Sequence, residues 1–456
     1  MKKRSKFVTG AGMLAAVALL AACGSSSAKG VQASNGSAAT TAGAGSQPVH
    51  LTWWTWTSNP QTVINAFEKQ YPNITVTSEN LGAGAPEYTK LATALRAGSG
   101  APDVAQIEYY ELPNFIGMHK LADISAYVSQ YKNQFPASIW SQVLSGSGVY
   151  AFPEDNDPTL LAYDASIFSQ YKLPVPQTWS EYAQDAAKLH QVDPSEYMGI
   201  NPLSVNGGGF LWLALWQAGV NLFHQESNGT WDISINTPKA QQIMSYWVNL
   251  AKSGATTTSD WLGPAVGSNI ANGKYATFLA PAFWPGIVAL NQQKGTKQQF
   301  ALASLPQWQA GSQASADFGG AGNAVTDQSK NPKEAALFAA WIGSSQQGLD
   351  IALQSPVQNG RGLFPASMNA SQSPQFNALV PQFPANTNQL YAAAAQHVSP
   401  NFTFSPWSGD MLAAMSTYMP QAAAGAISVA TALSDIQSAL VTAATQEGYQ
   451  VKVLSS

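Results

Sequence analysis

The chain has 456 residues, 45% of them hydrophobic and only 10% charged, with a formal net charge of −4. This length predicts two or more domains, and the hydrophobic fraction is sufficient for a sizeable core. Because the net charge is negative and the sequence holds no basic block, we expect no binding to nucleic acid.

The N-terminus has the pattern of an export signal. Four basic residues within the first six positions precede an apolar run over 11–22, which is shorter than the roughly 20 residues of a membrane-spanning helix. We therefore predict a signal peptide over 1–22. The sequence LAAC at 20–23 resembles a bacterial lipobox, and Cys23 is the only cysteine in the chain. We expect lipid on Cys23 to anchor the protein to the outer face of the cytoplasmic membrane; the alternative is an incidental cysteine beside an ordinary signal peptide.

Residues 23–47 consist almost entirely of Gly, Ser, Ala and Thr. Such a segment buries too little apolar surface to offset the entropy lost on ordering it. We therefore predict a flexible tether over 23–47, with the folded body beginning at about residue 48.

The first part of the body alternates between strand and helix patterns. Residues 49–56 predict a strand with Trp53 on one face and Trp54 and Trp56 on the other. The elements that follow are a helix starting at Pro60 with Ser58 or Asn59 as its cap, a strand over 73–77, a helix with its apolar stripe at Tyr88, Leu91 and Leu95, and a strand over 102–107. Short connections between such elements predict a parallel sheet with helices on its faces.

The same alternation restarts near residue 159. The predicted elements are a strand over 159–164, a helix opened by a capping box of Thr178 and Glu181, a helix from Pro238 to before Gly254 with Asn236 or Thr237 as cap, a strand over 273–280, a helix over 331–344, and a final helix with its stripe at Val429, Leu433, Ile436 and Leu440. The sequence therefore predicts an α/β protein of two lobes with helices at its C-terminus.

The order of these segments resembles the extracellular solute-binding proteins of sugar-importing ABC transporters, the maltodextrin-binding-like family. The resemblance covers about residues 49–445 and rests on segments in the expected order: VINAFEKQYPNITV, KLATALRAGSGAPDVAQIEYYELPNF, YAFPEDNDPTLLAYDASIF, LPVPQTWSEYAQDAAKL, NGKYATFLAPAFW and NPKEAALFAAWI. It implies a two-lobed, type II periplasmic-binding-protein-like fold with a hinge of crossing strands and a ligand cleft between the lobes. In that family the chain returns once to lobe 1, which places lobe 1 at 48–157 and 315–360, and lobe 2 at 158–314 and 361–456.

A cleft for a pyranose needs aromatic rings for the apolar faces of the sugar and polar groups for its hydroxyls. Trp54 and Trp56 end the first parallel strand, at the sheet edge where ligands of α/β proteins bind. With the resemblance, the candidate cleft aromatics are Trp54, Trp56, Tyr109, Trp212, Phe283, Trp284 and Trp407, while Tyr110 and Trp216 are left open between cleft and core. Relatives often carry an aromatic where this chain has Gly209. By contrast, Trp53, Trp247 and Trp341 fit core positions.

Two carboxylates and an arginine are the candidate polar ligands. Glu108 follows the third strand and Asp157 lies at the first crossing, and both are expected to accept hydrogen bonds from sugar hydroxyls unless they lie in solvated loops. Gly320 either admits backbone close to a ligand or forms a turn. Arg361 either forks onto hydroxyls or a carboxylate, or forms an ion pair at the hinge.

The expected function is that of a monomeric lipoprotein that captures a sugar or short oligosaccharide and hands it to the permease subunits of an ABC importer. The five histidines are scattered and no metal-binding or nucleophile motif is present, so we predict no enzyme, metal or cofactor. Two alternatives remain. One is a surface-anchored glycoside hydrolase, for which the carboxylates are numerous enough. The other is a binding protein for a non-sugar such as a polyamine, since cations also stack on tryptophan.

Overall fold

Two separate β-sheets organise the folded chain in the computed structural model, which describes residues 47–203, 208–259, 261, 265–291, 299–376 and 382–454. The predicted signal peptide, Cys23 and the tether up to residue 46 lie outside the described residues. Below, lobe 1 denotes the elements around the five-stranded sheet and lobe 2 those around a three-stranded sheet. The predicted α/β class is confirmed.

The strands of lobe 1 are β1 (Val49–Trp54), β2 (Ile74–Glu79), β3 (Val104–Glu108), β6 (Phe152–Pro153) and β12 (Ala321–Val325). They are ordered β2-β1-β3-β12-β6. β1 pairs in parallel with β2 and β3, as the strand–helix–strand connections predict, whereas β12 runs antiparallel to β3 and β6. A strand from much later in the chain therefore lies beside β3, with Ala321 opposite Glu108.

The helices of lobe 1 that pack near this sheet are α1 (Pro60–Gln70), α2 (Ala85–Ala97) and α12 (Pro332–Ser344). Each carries proline in its first turn, where the missing N–H costs no hydrogen bond. Trp53 fills the space under α12, with its ring centroid 5.3 Å from that of Phe338 and its Nε1 donating to Asn323 Oδ1 at 2.9 Å. The predicted core positions of Trp53, Trp247 and Trp341 are confirmed, because all three side chains are buried.

Lobe 2 is built on β7 (Thr159–Asp164), β10 (Thr277–Pro281) and β11 (Phe300–Ala303), in the order β10-β7-β11. Both neighbours run antiparallel to β7, in contrast to the parallel pairs of lobe 1. Its long helices are α7 (Trp179–Val192), α8 (Gly208–Gln217), α9 (Pro238–Lys252), α15 (Ser408–Ala423) and α16 (Val429–Gln446).

Local sequence signals set the ends of these helices. The predicted capping box is confirmed, since the Thr178 hydroxyl accepts from the Glu181 N–H and the Glu181 carboxylate accepts from the Thr178 N–H. Thr237 caps α9 by accepting from the Ala240 N–H, and Gly254 follows the end of α9 with φ of 76°. Helix α8 is buried along its whole length.

The remaining strands are short, namely β4 (Leu144–Ser145), β5 (Gly148–Val149), β8 (Phe223–Gln225), β9 (Trp231–Ile233) and β13 (Val451–Val453). The remaining α-helices are α3 (Leu112–Gly117), α4 (Ser125–Val128), α5 (Ala137–Trp140), α6 (Ala165–Tyr171), α10 (Val266–Ala271), α11 (Trp284–Asn291), α13 (Gln346–Leu353) and α14 (Thr387–Ala395). Within the described ranges, every helix falls short of the length and apolarity that a membrane span requires.

Three stretches of chain connect the two sheets. Residues 154–158 run from β6 to β7, residues 304–320 run from β11 to β12, and a third stretch follows α13 towards α14, which packs on β7 and β11. Backbone bridges join Asp155 to Pro365 and Pro158 to Asp317, so the three stretches lie side by side. This arrangement brings together polar residues that are more than 200 positions apart in the sequence.

Candidate ligand-binding cavity

A cavity of about 410 Å³ lies beside the crossing stretches, at the carboxyl ends of β1 and β3. Ligands of open α/β sheets bind at this edge. The lining residues are Trp56, Thr57, Ser58, Ala83, Gly84, Glu108, Tyr110, Asp155, Asp157, Trp212, Phe283, Gly286, Ile287, Leu290, Phe318, Gly319, Gly320, Ala321, Pro356, Arg361, Gly362 and Leu363. Both lobes therefore face one space.

Seven of the predicted site residues line this cavity, namely Trp56, Glu108, Asp157, Trp212, Phe283, Gly320 and Arg361. They come from four separate parts of the chain: the end of β1, the end of β3, the lobe 2 helices and the crossing stretches. Tyr110, which the sequence left open, also lines the cavity. Trp216, the other open residue, does not; its buried ring stacks on Phe402 with centroids 4.4 Å apart.

Five rings form the aromatic side of the cavity, and we refer to Trp56, Tyr110, Trp212, Phe283 and Phe318 as the aromatic wall. The rings of Tyr110 from lobe 1 and Trp212 from α8 lie 5.4 Å apart, so the wall is continuous across the two lobes. Phe318 extends it, with its centroid 5.7 Å from Trp212 and 5.8 Å from Phe283. Flat apolar rings next to polar side chains are the usual lining of a small-molecule site.

Trp56 reaches the cavity because β1 ends at Trp54 and a polar turn follows. The Thr55 hydroxyl donates to Gln106 Oε1 at 2.6 Å, and the same oxygen accepts from the Trp56 N–H at 3.3 Å. Gln106 on β3 therefore fixes the backbone that presents the Trp56 ring. The ring is partly exposed and lies perpendicular to Tyr88, with centroids 6.4 Å apart.

Phe318 is a wall residue that sequence reasoning missed, and Gly209 is the signal that points to it. A side chain added at Gly209 would place its Cβ 2.7 Å from the ring of Phe318. The ring from the crossing stretch thus occupies the space beside α8 that a side chain at position 209 would fill. The glycine and the distant phenylalanine together keep an aromatic surface there.

Buried carboxyl groups form the polar side of the cavity. Asp155 Oδ1 accepts from the Ala321 N–H at 2.8 Å, and Asp317 Oδ1 accepts from the N–H groups of Asp157 and Gly319, both at 2.9 Å. Burial, together with the neighbouring Glu154 carboxyl, raises the pKa of Asp155 to about 8. Burial raises the pKa of Asp317 to about 7, although its two backbone hydrogen bonds lower it. Burial and the charges of Asp155 and Asp317 raise the pKa of Asp157 well above its ordinary value.

Arg361 is the cation of this cluster. Its guanidinium pairs with Glu154 Oε1, and both side chains are almost completely buried. The second Glu154 oxygen accepts from Asn323 Nδ2 at 2.8 Å. The hinge ion pair that the sequence offered as one reading of Arg361 is therefore present. Arg361 Nε and Nη1 have no hydrogen-bond partner among the described residues, and Arg361 also lines the cavity.

Glu108 stands at the end of β3, held by the phenol of Tyr88. Tyr88 Oη donates to Glu108 Oε2 at 2.7 Å and accepts from the Glu108 N–H at 3.0 Å. Burial raises the pKa of Glu108, and hydrogen bonds from Tyr88 and Tyr110 lower it in part. The carboxyl group is thereby fixed in place beside the aromatic wall.

Gly320 lines the cavity for a reason that concerns the protein backbone. Its φ is 95°, and an added Cβ would lie 2.6 Å from the carbonyl oxygen of Asp155. The glycine allows two crossing stretches to approach closely and to present Asp155 and Ala321 to the cavity.

Trp54 and Tyr109, which the sequence predicts as ligand-contacting residues, do not line this cavity. Strand alternation does not continue to position 56, so Trp54 lies apart from Trp56, 94% buried with Lys90 Nζ 4.7 Å from its ring centroid. Tyr109 is buried behind the crossing stretch, where its Oη donates to the Asp155 carbonyl at 2.9 Å. It ties β3 to that stretch.

Trp284 and Trp407, which are also predicted as ligand contacts, lie outside the lining of this cavity. Trp284 begins α11 and is buried against Trp261 at 5.8 Å, leaving its neighbour Phe283 in the cavity. Trp407 is fully buried with Trp231 at 5.6 Å and Tyr449 at 4.9 Å, and its Nε1 donates to Glu447 at 3.0 Å. We refer to Trp231, Trp407 and Tyr449 as the C-terminal ring cluster.

The described residues contain no group of three or more His, Cys, Asp or Glu side chains arranged to hold a metal ion. The cavity thus combines aromatic rings with carboxyl groups and a guanidinium, a donor and acceptor set suited to an organic ligand.

The profile of the family described as bacterial extracellular solute-binding protein matches residues 53–348. A probable ABC transporter-binding protein of Deinococcus radiodurans is 26% identical over 255 residues, which is 53% of this chain and 58% of that protein. An arabinooligosaccharide-binding protein of Halalkalibacterium halodurans is 23% identical over 268 residues, which is 57% of this chain and 58% of that protein. The chain therefore spans somewhat more than half the length of these relatives.

Among solved structures, the ABC transporter associated binding protein of B. animalis subsp. lactis in complex with beta-1,6-galactobiose is similar over 88% of this chain and 99% of that chain. The TM-score is 0.76 and the sequence identity is 25%. This similarity confirms the predicted two-lobed, type II periplasmic-binding-protein-like α/β fold.

Proposed function

The chain belongs to the family of bacterial extracellular solute-binding proteins, and we propose that it captures a sugar or short oligosaccharide in the cavity between its lobes. It then delivers the ligand unchanged to the permease of an ABC importer. A relative named for arabinooligosaccharide binding and a similar structure in complex with beta-1,6-galactobiose support a carbohydrate ligand.

The observation that carries this proposal is the composition of the cavity. The aromatic wall offers flat surfaces for the C–H faces of a pyranose, and Glu108, Asp155 and Asp157 offer acceptors for its hydroxyls. The free N–H groups of Arg361 supply donors to hydroxyl oxygens. Hydrogen bonds to charged groups contribute about 1.5–3 kcal/mol each, so a few of them suffice to orient a ring.

The connections between the sheets support a hinge. Lobe 1 comprises 48–157 and 315–360 in this proposal, and lobe 2 comprises 158–314 and 361–456. Each boundary falls on one of the three crossing stretches, which also supply Asp155, Asp157, Gly320 and Arg361 to the cavity. A ligand that contacts both lobes favours the closed arrangement by its differential affinity for that state.

Attachment to the membrane is proposed through lipid on Cys23, with residues 24–47 as the tether. Expression in a bacterium supplied with labelled palmitate tests this directly. The wild-type chain is expected to carry label and to fractionate with membranes, and Cys23→Ser is expected to lose both properties. Label that persists in Cys23→Ser contradicts the assignment.

A thermal-shift screen tests the ligand class, because a ligand that binds only the folded state raises the melting temperature. The panel contains beta-1,6-galactobiose, arabinooligosaccharides and common mono- and disaccharides. At least one carbohydrate is expected to stabilise the protein, and calorimetry then gives its Kd. Failure of the whole panel, with stabilisation by a phosphorylated or cationic solute that is not a sugar, overturns the proposal.

Two variants on one helix provide a matched comparison. Trp212→Leu removes a wall ring and is expected to weaken carbohydrate binding. Trp216→Leu, four residues further along α8, removes a buried ring outside the cavity and is expected to lower stability while the folded fraction keeps its affinity. Equal loss of affinity in both variants places the ligand elsewhere.

The same samples distinguish binding from hydrolysis. The carbohydrate is expected to be recovered intact after long incubation. Cleavage products that disappear in Glu108→Gln or Asp157→Asn favour a glycoside hydrolase instead.

A further inference from the structure

The cavity carries an excess of carboxyl groups over cations. Glu108, Asp155 and Asp157 line it, whereas Arg361 is the one basic side chain among the lining residues that the structure describes. The charge of Arg361 is already engaged, because its guanidinium pairs with Glu154 behind the cavity surface. Apart from Arg361, the described lining residues hold no cation for the three carboxyl groups.

Asp157 provides a second, independent observation. Its side chain is 5% exposed, and its Oδ1 is buried without a hydrogen-bond partner among the described residues. The backbone N–H of Asp157 donates to Asp317 Oδ1, so its backbone is held while the carboxyl group borders the cavity. An unpartnered buried carboxyl group is costly, and a donor from a ligand removes that cost.

The aromatic rings that line the cavity also favour a ligand that is both a hydrogen-bond donor and a cation. An ammonium group is attracted to the faces of tryptophan and tyrosine, most strongly where water is excluded. Trp56, Tyr110 and Trp212 line the same cavity as Asp157. A cation in this space would have both carboxyl groups and aromatic rings among its neighbours.

Anionic ligands fit this site poorly. Arg361 is the basic residue of the lining, and a phosphate or carboxylate would have to compete with Glu154 for it while facing three carboxyl groups. A metal ion is also poorly served, because the described residues form no cluster of metal ligands. A neutral sugar donates hydroxyl groups to the carboxyl oxygens but brings no charge that stabilises their ionised form, whereas a protonated amine does.

We propose that the natural ligand is an amino sugar, or an oligosaccharide containing one, whose protonated amine is recognised by Asp157 with Asp155 and Glu108. This inference rests on the proposed function, since it specifies the class of carbohydrate that the same cavity takes. The protonated amine distinguishes the ligand from its N-acetylated form, which has nearly the same ring and no charge.

Calorimetry with matched pairs tests the inference. The probes are glucosamine, galactosamine and the beta-1,4-linked disaccharide of glucosamine, each compared with its N-acetylated counterpart at a pH where the free amine is protonated. At least one amine is expected to bind about tenfold or more tightly than its acetylated partner, equivalent to about 1.4 kcal/mol.

Two isosteric variants assign the selectivity to the carboxyl groups. Asp157→Asn is expected to lower the ratio of amine to acetyl affinity towards one, and Glu108→Gln to lower it by a smaller factor. Asp327→Asn is the charge-matched control. Asp327 follows the C-terminal end of β12 and pairs with Lys120, whereas Gly320 precedes the N-terminal end of that strand. The control is therefore expected to keep the wild-type ratio.

Each outcome decides one of the two proposals. Equal or tighter binding of the acetylated sugars overturns the amine inference and leaves carbohydrate capture intact. Selectivity that survives in Asp157→Asn and Glu108→Gln overturns the assignment to these residues. Binding of putrescine with no binding of any sugar overturns the carbohydrate function while the preference for a cation stands. No binding of any amino sugar overturns the amine inference, and the thermal-shift panel then decides whether carbohydrate capture stands.

Discussion

The aromatic wall and the C-terminal ring cluster are built from the same residue types and have opposite surroundings. In the C-terminal ring cluster, Trp407 has rings on both sides and its Nε1 donates to Glu447, so protein atoms satisfy the whole side chain. The aromatic wall instead borders an open volume, and the buried carboxyl group of Asp157, whose Oδ1 has no hydrogen-bond partner among the described residues, borders the same space. The difference teaches that a tryptophan near a strand end or helix start is not a ligand contact by itself. The deciding feature is whether the polar atoms near the ring are satisfied by protein atoms or border an open volume.

The largest expected effect is on the C-terminal ring cluster. Trp407→Ala removes a fully buried indole and is expected to lower the free energy of unfolding by about 3–5 kcal/mol. The folded fraction is expected to bind ligand with wild-type affinity, because Trp407 does not line the cavity. Denaturant unfolding measures the first quantity and calorimetry below the transition measures the second.

Trp407→Phe is the control for this change. It keeps a ring in the cluster and loses the hydrogen bond to Glu447, so its loss of stability is expected to be smaller. A stable Trp407→Ala protein with strongly weakened binding contradicts the separation of the two aromatic groups.

Trp56→Ala is the corresponding change in the aromatic wall. The ring is partly exposed and its removal is expected to weaken ligand binding by about 2 kcal/mol, roughly thirtyfold in Kd, with a smaller loss of stability than Trp407→Ala. Trp54→Phe, two residues earlier, changes a buried ring outside the cavity and is expected to keep the affinity. Weaker binding in Trp54→Phe than in Trp56→Ala reverses the assignment of the two tryptophans.

A pH effect is expected from the acidic side of the cavity. Carboxyl groups titrate near pH 4 in an unfolded chain, whereas in the folded protein the pKa of Asp317 is raised to about 7 and that of Asp155 to about 8. Between about pH 4 and pH 8 the folded state therefore holds more protons than the unfolded state, and stability falls as pH rises. One such group contributes up to about 1.4 kcal/mol per pH unit.

Asp155→Asn separates this contribution from the rest. The charged and titratable groups around Asp155 are Glu154, Asp157, Arg361, Asp317 and the Tyr109 phenol, and the variant removes one proton-binding site among them. The slope of unfolding free energy against pH is expected to become shallower without vanishing, because burial also raises the pKa of Glu87 to about 8 and of Glu111 to about 7. Asp327→Asn is expected to keep the wild-type slope. An unchanged slope in Asp155→Asn would contradict the raised pKa of Asp155 as a cause of the pH dependence.

The elements of the fold were predictable because their signals are local. The strand over 159–164 matches β7, and the capping box at Thr178 and Glu181 forms as predicted. Hydrophobic period and capping chemistry involve residues within one or two turns of each other, so the sequence contains them directly.

The cavity was predictable only in part, because its surface depends on contacts between distant residues. Whether a ring faces the cavity depends on packing such as that of Phe318 beside Gly209, 109 positions apart. The ion pair of Arg361 with Glu154 joins residues of two crossing stretches, and it determines which carboxyl groups remain unpaired. Trp54 and Trp56 differ because β1 ends between them, and strand alternation does not reveal that end.

The smallest expected effect tests the position of Trp54 with little disturbance. Lys90 Nζ lies 4.7 Å from the Trp54 ring centroid and 2.8 Å from Glu79 Oε1. The side chains of Lys90 and Glu79 are both about half exposed. Lys90→Gln is expected to lower stability by less than about 1 kcal/mol, and the difference is expected to shrink in high salt. Because neither Lys90 nor Trp54 lines the cavity, ligand affinity is expected to stay at the wild-type value in calorimetry. A fall in affinity would assign Trp54 to the aromatic wall. Burial by protein atoms would then no longer distinguish a core tryptophan from one that contacts the ligand.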